Sequence, residues 1–285
     1  MPHNPRVGER IAFVGRATID LTVRVPHRAA PGLATFGGPL VATPGGKALN
    51  QAYAAARLGG DVTLVANAGA DHWGDQLTAT LAEAGVDGLR LLPGVPTSAA
   101  IIEVTPDGES YVTLALSPAA ELTDHQVQEN PRLRTAQIVV TQLDLAPEVV
   151  RALPTPRLLI GNLIPDDPSV LRTLNLYVAN VHEAAAVLNA PVPNATAAAE
   201  ALRDLGIPAV VVTAGREGAA YSDSTGTTAV PAIPVAPVDT SGAGDAFLGA
   251  LAAALATGSP LPDAVEAATR TATQAVQHPG ALFRP

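Results

Sequence analysis

Val238-Asp239-Thr240-Ser241-Gly242-Ala243-Gly244-Asp245-Ala246-Phe247-Leu248-Gly249-Ala250 is the stretch around which the chain is organised. It follows an apolar, proline-punctuated run, Ala229 to Val238, that reads as a strand. It leads into Ala246 to Ala256, whose composition only a helix accommodates. Two glycines and an alanine lie between two acids. Small residues let the backbone pass close to a ligand, and a helix start turns several unpaired N–H groups outward. Those groups and the positive end of the helix dipole suit an anion, typically phosphate. A carboxylate inside such a cradle, Asp245, costs energy unless chemistry uses it. It stands where a base would take the proton of an attacking hydroxyl during phosphoryl transfer. Read alone, the same residues also describe a glycine-rich N-cap on a buried helix, with Asp245 favouring the dipole.

Upstream, short apolar runs alternate with helical patterns. Ile11–Gly15, Asp61–Ala66, Ile138–Thr141, Leu158–Gly161, Tyr177–Asn180 and Pro208–Thr213 read as strands. Helices are expected from Lys47 to Leu58, Trp73 to Ala84, Pro147 to Ala152, Pro168 to Leu174, Glu183 to Leu188 and Thr196 to Leu205. Three of them close as Leu58-Gly59, Ala84-Gly85 and Leu205-Gly206, each ahead of a β-branched run, which is C-cap chemistry. Repeated βα units predict an α/β fold with a mostly parallel sheet covered on both faces. Two segments break the rhythm, about 16–43 and 96–116. The first carries an alternating strand, Arg16–Val25. The second is a hairpin turning through Thr105-Pro106-Asp107-Gly108-Glu109, and together they predict a small β-sheet lid. No linker or repeat divides the chain, so one domain over 1–285 is expected.

Composition bounds the function. The 285 residues are 47% hydrophobic but only 3% aromatic, so the core must be built from Ala, Val and Leu. A net charge of -9 argues against nucleic acid and anionic membranes as partners, yet leaves room for one nucleotide in a local N–H cradle. With no cysteine, thiolate chemistry and Cys-based zinc sites are excluded. Met1–Arg6 is polar and lacks the apolar core of a secretory leader, and no apolar run is long enough to span a bilayer; a cytoplasmic protein is expected.

A second motif, Gly45-Gly46-Lys47-Ala48-Leu49-Asn50-Gln51-Ala52, opens a helix with two glycines and sets Lys47 and Asn50 on one face, where they could donate to sugar hydroxyls. An exposed Lys at a helix start is the plain alternative. Asp20 follows the first strand, at the sheet end where open α/β folds bind ligands; a solvated loop acid would look the same. Asn180-Val181-His182-Glu183 closes a strand and starts a helix. Read from the residues alone, it is nearly a capping box, with Asn180 at the N-cap and Glu183 at N3. Thr213-Ala214-Gly215-Arg216-Glu217-Gly218 is a tight turn after a strand.

Asp239 to Asp245 resembles the C-terminal signature of the ribokinase family of carbohydrate and nucleoside kinases, the phosphofructokinase-B type. Gly45 to Ala52 resembles its N-terminal signature, in wording nearest the ribokinase branch. The resemblance runs from Ile11 to Ala281. It implies a ribokinase-like three-layer core with a β lid, and transfer of the ATP γ-phosphoryl group to a primary hydroxyl of a sugar or nucleoside. It further implies Asp245 as base, with the N–H groups of Gly242, Ala243 and Gly244 stabilising charge on the phosphoryl oxygens. Asp20, Gly45, Gly46, Lys47, Asn50 and Asp144 would hold the acceptor. Asn180, Thr213, Gly215, Gly218 and Gly280 would border the nucleotide. Glu183 would serve Mg²⁺, partly through water, and Asp239 and Ser241 a monovalent cation such as K⁺. Family members commonly pair through the lid, so a homodimer is the implied assembly.

Several positions depart from the pattern. Asp144 stands where Glu is usual, and Ser117-Pro118-Ala119-Ala120-Glu121 replaces a ribose-contacting Gly-Ala-Asn. The chain closes at Pro285, ahead of the last helix the family pattern implies. Ribose leads as acceptor; a deoxyribose, fructose, 2-keto-3-deoxygluconate and a nucleoside also fit. Two other classes stay open. One is a sugar-binding protein without catalysis, against which the intact Asp245 counts. The other is a nicotinamide oxidoreductase, against which the spacing Gly242-x-Gly244-x-x-x-x-Gly249 counts, since dinucleotide turns use a closer third glycine.

Overall fold

The computed structural model describes residues 9–285 except Gly108. The polar start Met1–Arg6 and the Gly108 of the expected hairpin turn therefore lie outside the described residues. Strand β1 (Ile11–Val14) is central. Its Ile11 and Phe13 face one apolar cluster and its Ala12 and Val14 another, and all four are fully buried. A strand covered on both faces shows no polar alternation, which is why its sequence reads as a bare apolar run.

From β1 the chain enters the lid as β2 (Thr18–Arg24) and returns through β3 (Val41–Gly45) into helix α1 (Lys47–Arg57). Then come β4 (Val62–Gly69), α2 (His72–Glu83) and β5 (Asp87–Leu92). The lid is completed by the hairpin β6 (Ala99–Val104) and β7 (Ser110–Ala115). Short helices α3 (Asp124–Gln128) and α4 (Pro131–Thr135) lead to β8 (Ile138–Gln142), α5 (Pro147–Arg151) and β9 (Leu158–Asn162). The remainder is β10 (Leu176–Asn180), α6 (Val181–Leu188), α7 (Ala195–Arg203), β11 (Ala209–Thr213), the hairpin β12 (Ala219–Asp223) and β13 (Gly226–Val230), α8 (Ala243–Ala256) and α9 (Leu261–Ala275).

The large sheet runs β13-β12-β11-β10-β9-β8-β1-β4-β5, and the lid sheet β3-β2-β6-β7. From β11 to β5 every pairing in the large sheet is parallel; the hairpin at the other edge is antiparallel. Strand order reverses between β1 and β8, so their carboxyl ends form the crevice where such sheets take ligands. Helices α1, α2, α8 and α9 cover one face and α3 to α7 the other, giving the expected three layers. The three expected C-cap glycines, Gly59, Gly85 and Gly206, all have positive φ.

Three expectations are corrected. The run after Ala229 pairs only as far as Val230; Pro231, Pro234 and Pro237 remove the N–H donors that a longer strand needs. Pro168–Thr173 is a 3₁₀ helix rather than an α-helix: in this connector between β9 and β10 the tighter i→i+3 bonds, such as Leu174 N–H to the Leu171 carbonyl at 3.3 Å, take the place of an α-turn. Helix α8 starts at Ala243 rather than Ala246, which places Asp245 inside its first turn.

Candidate active site

Gly242 caps α8 with φ 70°, a left-handed conformation, and a side chain there would run into the backbone of Ala281. The first turn behind it carries Gly244 and Asp245, whose N–H groups have no intrahelical acceptor. The Ala243 N–H leans weakly on the Thr240 carbonyl at 3.4 Å. The cradle read from the sequence is therefore present, with the dipole of a 14-residue helix behind it.

Asp245 is 7% exposed and held from α1. Asn50 Nδ2 donates to its Oδ2 at 3.1 Å and Gln51 Nε2 to its Oδ1 at 3.0 Å. Asn162, at the end of β9, extends the chain by accepting from Gln51 at 3.5 Å and donating to the Thr141 carbonyl at 3.1 Å. Two carboxamides thus aim a carboxylate without supplying a competing charge. Asn50 Oδ1, on the same side chain, is buried with no partner among the described residues.

Gly46, with φ 92°, begins α1; a Cβ there would sit 2.6 Å from the Arg16 carbonyl oxygen. Only glycine lets the lid's return strand turn this tightly against its outgoing strand. Gly45 lies directly beneath the Asp20 carboxylate. Burial, with Asp245 adding repulsion, pushes the Asp20 carboxyl above its usual range, against a hydrogen bond from Thr18 Oγ1 at 3.2 Å. The facing Asp245 likewise holds the Lys47 ammonium above its ordinary value despite burial, with Glu183 and Asp144 assisting, and for a cation that rise favours the charged form. Asp144 follows β8 and is pushed up by burial, against the pull of Arg16. Arg16 contacts it through Nη1 at 2.8 Å.

A groove of about 570 Å³ opens on the other side of α8. Thr213 at the end of β11 and Gly215 and Gly218 in the turn after it border the groove, with Ile233 to Val235 from the proline-rich run and Thr269 and Thr273 from α9. Ala243, Gly244 and Phe247 form its floor. A cavity of about 70 Å³ joins it to the centre, lined by Lys47, Asn180, Glu183, Gly244 and Asp245. Gly215 and Gly218 both have positive φ.

Asn180 and Glu183 form the capping box read from the sequence. Asn180 Oδ1 accepts from the Glu183 N–H at 2.9 Å, and Glu183 Oε2 from the Asn180 N–H at 2.9 Å. Glu183 also lines the small cavity. Among the described residues no group of three acids or histidines could cage a metal. That donor set fits Mg²⁺ held through water and phosphate oxygens. Asp239 accepts from the Ser241 N–H and the Gly280 N–H, both at 2.9 Å, tying the loop before α8 to the turn after α9. Burial alone would raise its carboxyl; these bonds outweigh that and hold it below its usual range.

The sequence-derived residues thus fall in two neighbouring groups around Asp245. Asp20, Gly45, Gly46 and Asp144 lie toward the lid. Thr213, Gly215, Gly218, Asn180 and Glu183 lie toward the groove, and Lys47 and Asn50 between. Gly280, Asp239 and Ser241 lie at the rim behind the α8 cap. Sequence reasoning missed Gln51 and Asn162, although a Gln inside an alanine-rich helix and an Asn ending an apolar strand were signals. It also missed Arg16, Glu121 and the Ile233–Val235 wall.

A two-sided cleft with a phosphate cradle and a buried carboxylate is that of a phosphoryl-transferring enzyme. Residues 9–284 match the sequence profile of the pfkB family carbohydrate kinases, and the chain belongs to that family. It is 30% identical over 280 residues to the ribokinase of Bacillus subtilis, covering 93% of this chain and 92% of that one. The crystal structure of ribokinase from Thermotoga maritima superposes with a TM-score of 0.87 at 27% identity, over 96% of this chain and 94% of that one. That of Arabidopsis thaliana ribokinase, complexed with ribose and ATP, gives 0.83 at 23% identity, over 96% and 95%, and so shares the fold. The protein is therefore an ATP-dependent phosphotransferase of the carbohydrate-kinase type.

Proposed function

We propose that the protein phosphorylates a primary hydroxyl of ribose or a closely related neutral sugar, with Asp245 as general base. The observation that carries this reading is Asp245 itself: a buried carboxylate aimed by Asn50 and Gln51 at the junction of the acceptor side and the phosphate side. ATP lies in the groove against Thr213, Gly215 and Gly218, with its γ-phosphate at the start of α8. The Gly242–Gly244 backbone and Lys47 meet the charge that spreads over the phosphoryl oxygens, which is where this chemistry gains its rate. Mg²⁺, approached by Glu183 through water, neutralises the phosphates. Asp20, Asp144 and Asn50 Oδ1 receive the acceptor hydroxyls.

Charge favours an uncharged acceptor. Asp20, Glu121, Asp144 and Asp245 outnumber Lys47 and Arg16 around it, so a sugar acid is repelled. Asp239 and Ser241 are the place for a monovalent cation behind the α8 cap. A homodimer through the lid accords with the apolar side chains left open there: Phe36 is 90% exposed, Val112 57% and Leu114 53%. Among the described residues no helix is long and apolar enough to cross a membrane, and a cytoplasmic location accords with that.

The test is ADP release with ATP and Mg²⁺ against D-ribose, 2-deoxy-D-ribose, D-fructose, 2-keto-3-deoxygluconate and inosine, with and without K⁺. A ribose signal well above the others is expected. A preference for the sugar acid or for inosine contradicts the acceptor assignment, and an equal rate in Na⁺ and K⁺ contradicts the cation site.

A further inference from the structure

Arg16 stands at the carboxyl end of β1 and Asp144 at that of β8, on the two sides of the switch point. The Arg16 backbone N–H donates to Gln142 Oε1 at 2.6 Å, which fixes where its side chain starts. Its Nε donates to Glu121 Oε1 and Oε2 at 2.9 and 3.0 Å, and Nη2 to Glu121 Oε2 at 2.7 Å. Nη1 donates to Asp144 Oδ2 at 2.8 Å and Nη2 to the Asp144 carbonyl at 3.1 Å. One guanidinium therefore ties three segments: the run from β1 into the lid, the run from β7 out of it, and the turn after β8.

Exposed ion pairs contribute little, but the Arg16 side chain keeps only 15% of its surface, and its grip on Glu121 is the two-pronged kind that fixes geometry. Asp144 Oδ1 is left buried with no partner among the described residues. A buried carboxylate oxygen without a donor is costly, so it marks a place where a ligand hydroxyl supplies one.

We propose that Arg16 is a positioning residue of the acceptor site: it turns Asp144 so that Oδ1 meets an acceptor hydroxyl, and it latches the lid's exit segment, through Glu121, to the same strand ends. The first half rests on the acceptor lying between Asp20 and Asp144; the latch does not.

Two measurements on Arg16→Ser and Arg16→Lys separate the halves. Lys keeps the charge and loses the fork, so it also serves if Ser folds poorly. In the ligand-free protein, amide exchange of residues 116–121 should rise about tenfold in Arg16→Ser and less in Arg16→Lys, since hydrogen bonds to charged groups are lost. With D-ribose, the acceptor KM should rise about tenfold while the ATP KM stays within about twofold. Adding Asp144→Asn to Arg16→Ser should cost little more, because the two act through one contact. Unchanged exchange in 116–121 overturns the latch, even if no acceptor is found and the kinase reading itself has failed. An active wild type whose variants raise both KM values together, raise neither, or add fully with Asp144→Asn overturns the positioning role.

Discussion

The two sides of Asp245 are built from different materials. The groove side is made largely of backbone and small or apolar side chains, Gly215, Gly218, Gly244, Ala243, Val235 and Phe247, around about 570 Å³, with Arg216 its charged lining residue. The lid side is made of ionisable side chains forced close together, with the Asp20 and Asp144 carboxyls both pushed up by burial. A backbone cradle is rigid and indifferent to pH, which suits a phosphate chain common to every turnover. A crowded set of carboxylates is a stored cost that an acceptor's hydroxyls relieve, which suits selection among similar sugars. The contrast makes substitutions on the two sides separable.

The largest effect expected short of removing the base comes from Gly46→Val. It puts a branched side chain where φ is 92° and the Arg16 carbonyl is already in contact, so the lid's return strand must move. The acceptor kcat/KM should fall about a hundredfold or more, as small misplacements near reacting groups do. Nucleotide affinity, measured by calorimetry, should hold; parallel loss of both would break the separation.

Asp20→Asn should raise the acceptor KM about tenfold and at the same time stabilise the fold. The sign follows from the raised carboxyl. Its folded value lies above the ordinary Asp value, so its favourable contribution is complete only below that ordinary value and is lost as pH rises through the folded one. At pH 7.5 the Asn variant should melt a few degrees higher, and the gap should close below about pH 4. A lower melting temperature at neutral pH contradicts the account of stored cost.

Thr273→Trp should fill part of the groove from α9, raising the ATP KM about fivefold to tenfold with the acceptor KM unchanged. Initial rates at varied ATP and fixed acceptor decide it. A shift in the acceptor KM alone would mean the groove is not the nucleotide's.

How much of this is legible in the sequence follows the same division. The α8 cap, the Gly46 turn, the Asn180 capping box and the βα rhythm are local patterns, each read within a dozen residues. The charge cluster is not. Arg16 meets Glu121 across 105 residues and Asp144 across 128, and Gln51 meets Asp245 across 194. Nothing near Arg16 in the chain marks it, because its partners arrive only through sheet order. Strands β5 and β13 leave no such local signal either, since Asp87–Leu92 and Gly226–Val230 are largely unburied and lack an apolar run, while the buried β12 is short and built partly of Ala, Ser and Asp rather than β-branched residues. The motif order alone implies Asp144 as an acceptor contact. Its tether to Arg16 needed the fold.

The central claim is that Asp245 serves both sides as the base without holding either ligand by itself. The most direct measurement is the turnover of Asp245→Asn, beside its ATP and acceptor affinities by calorimetry. Loss of about 10²–10⁴-fold in kcat with both affinities within a few-fold of the parent is the expected result. Retention of more than about a tenth of the rate would contradict the base role.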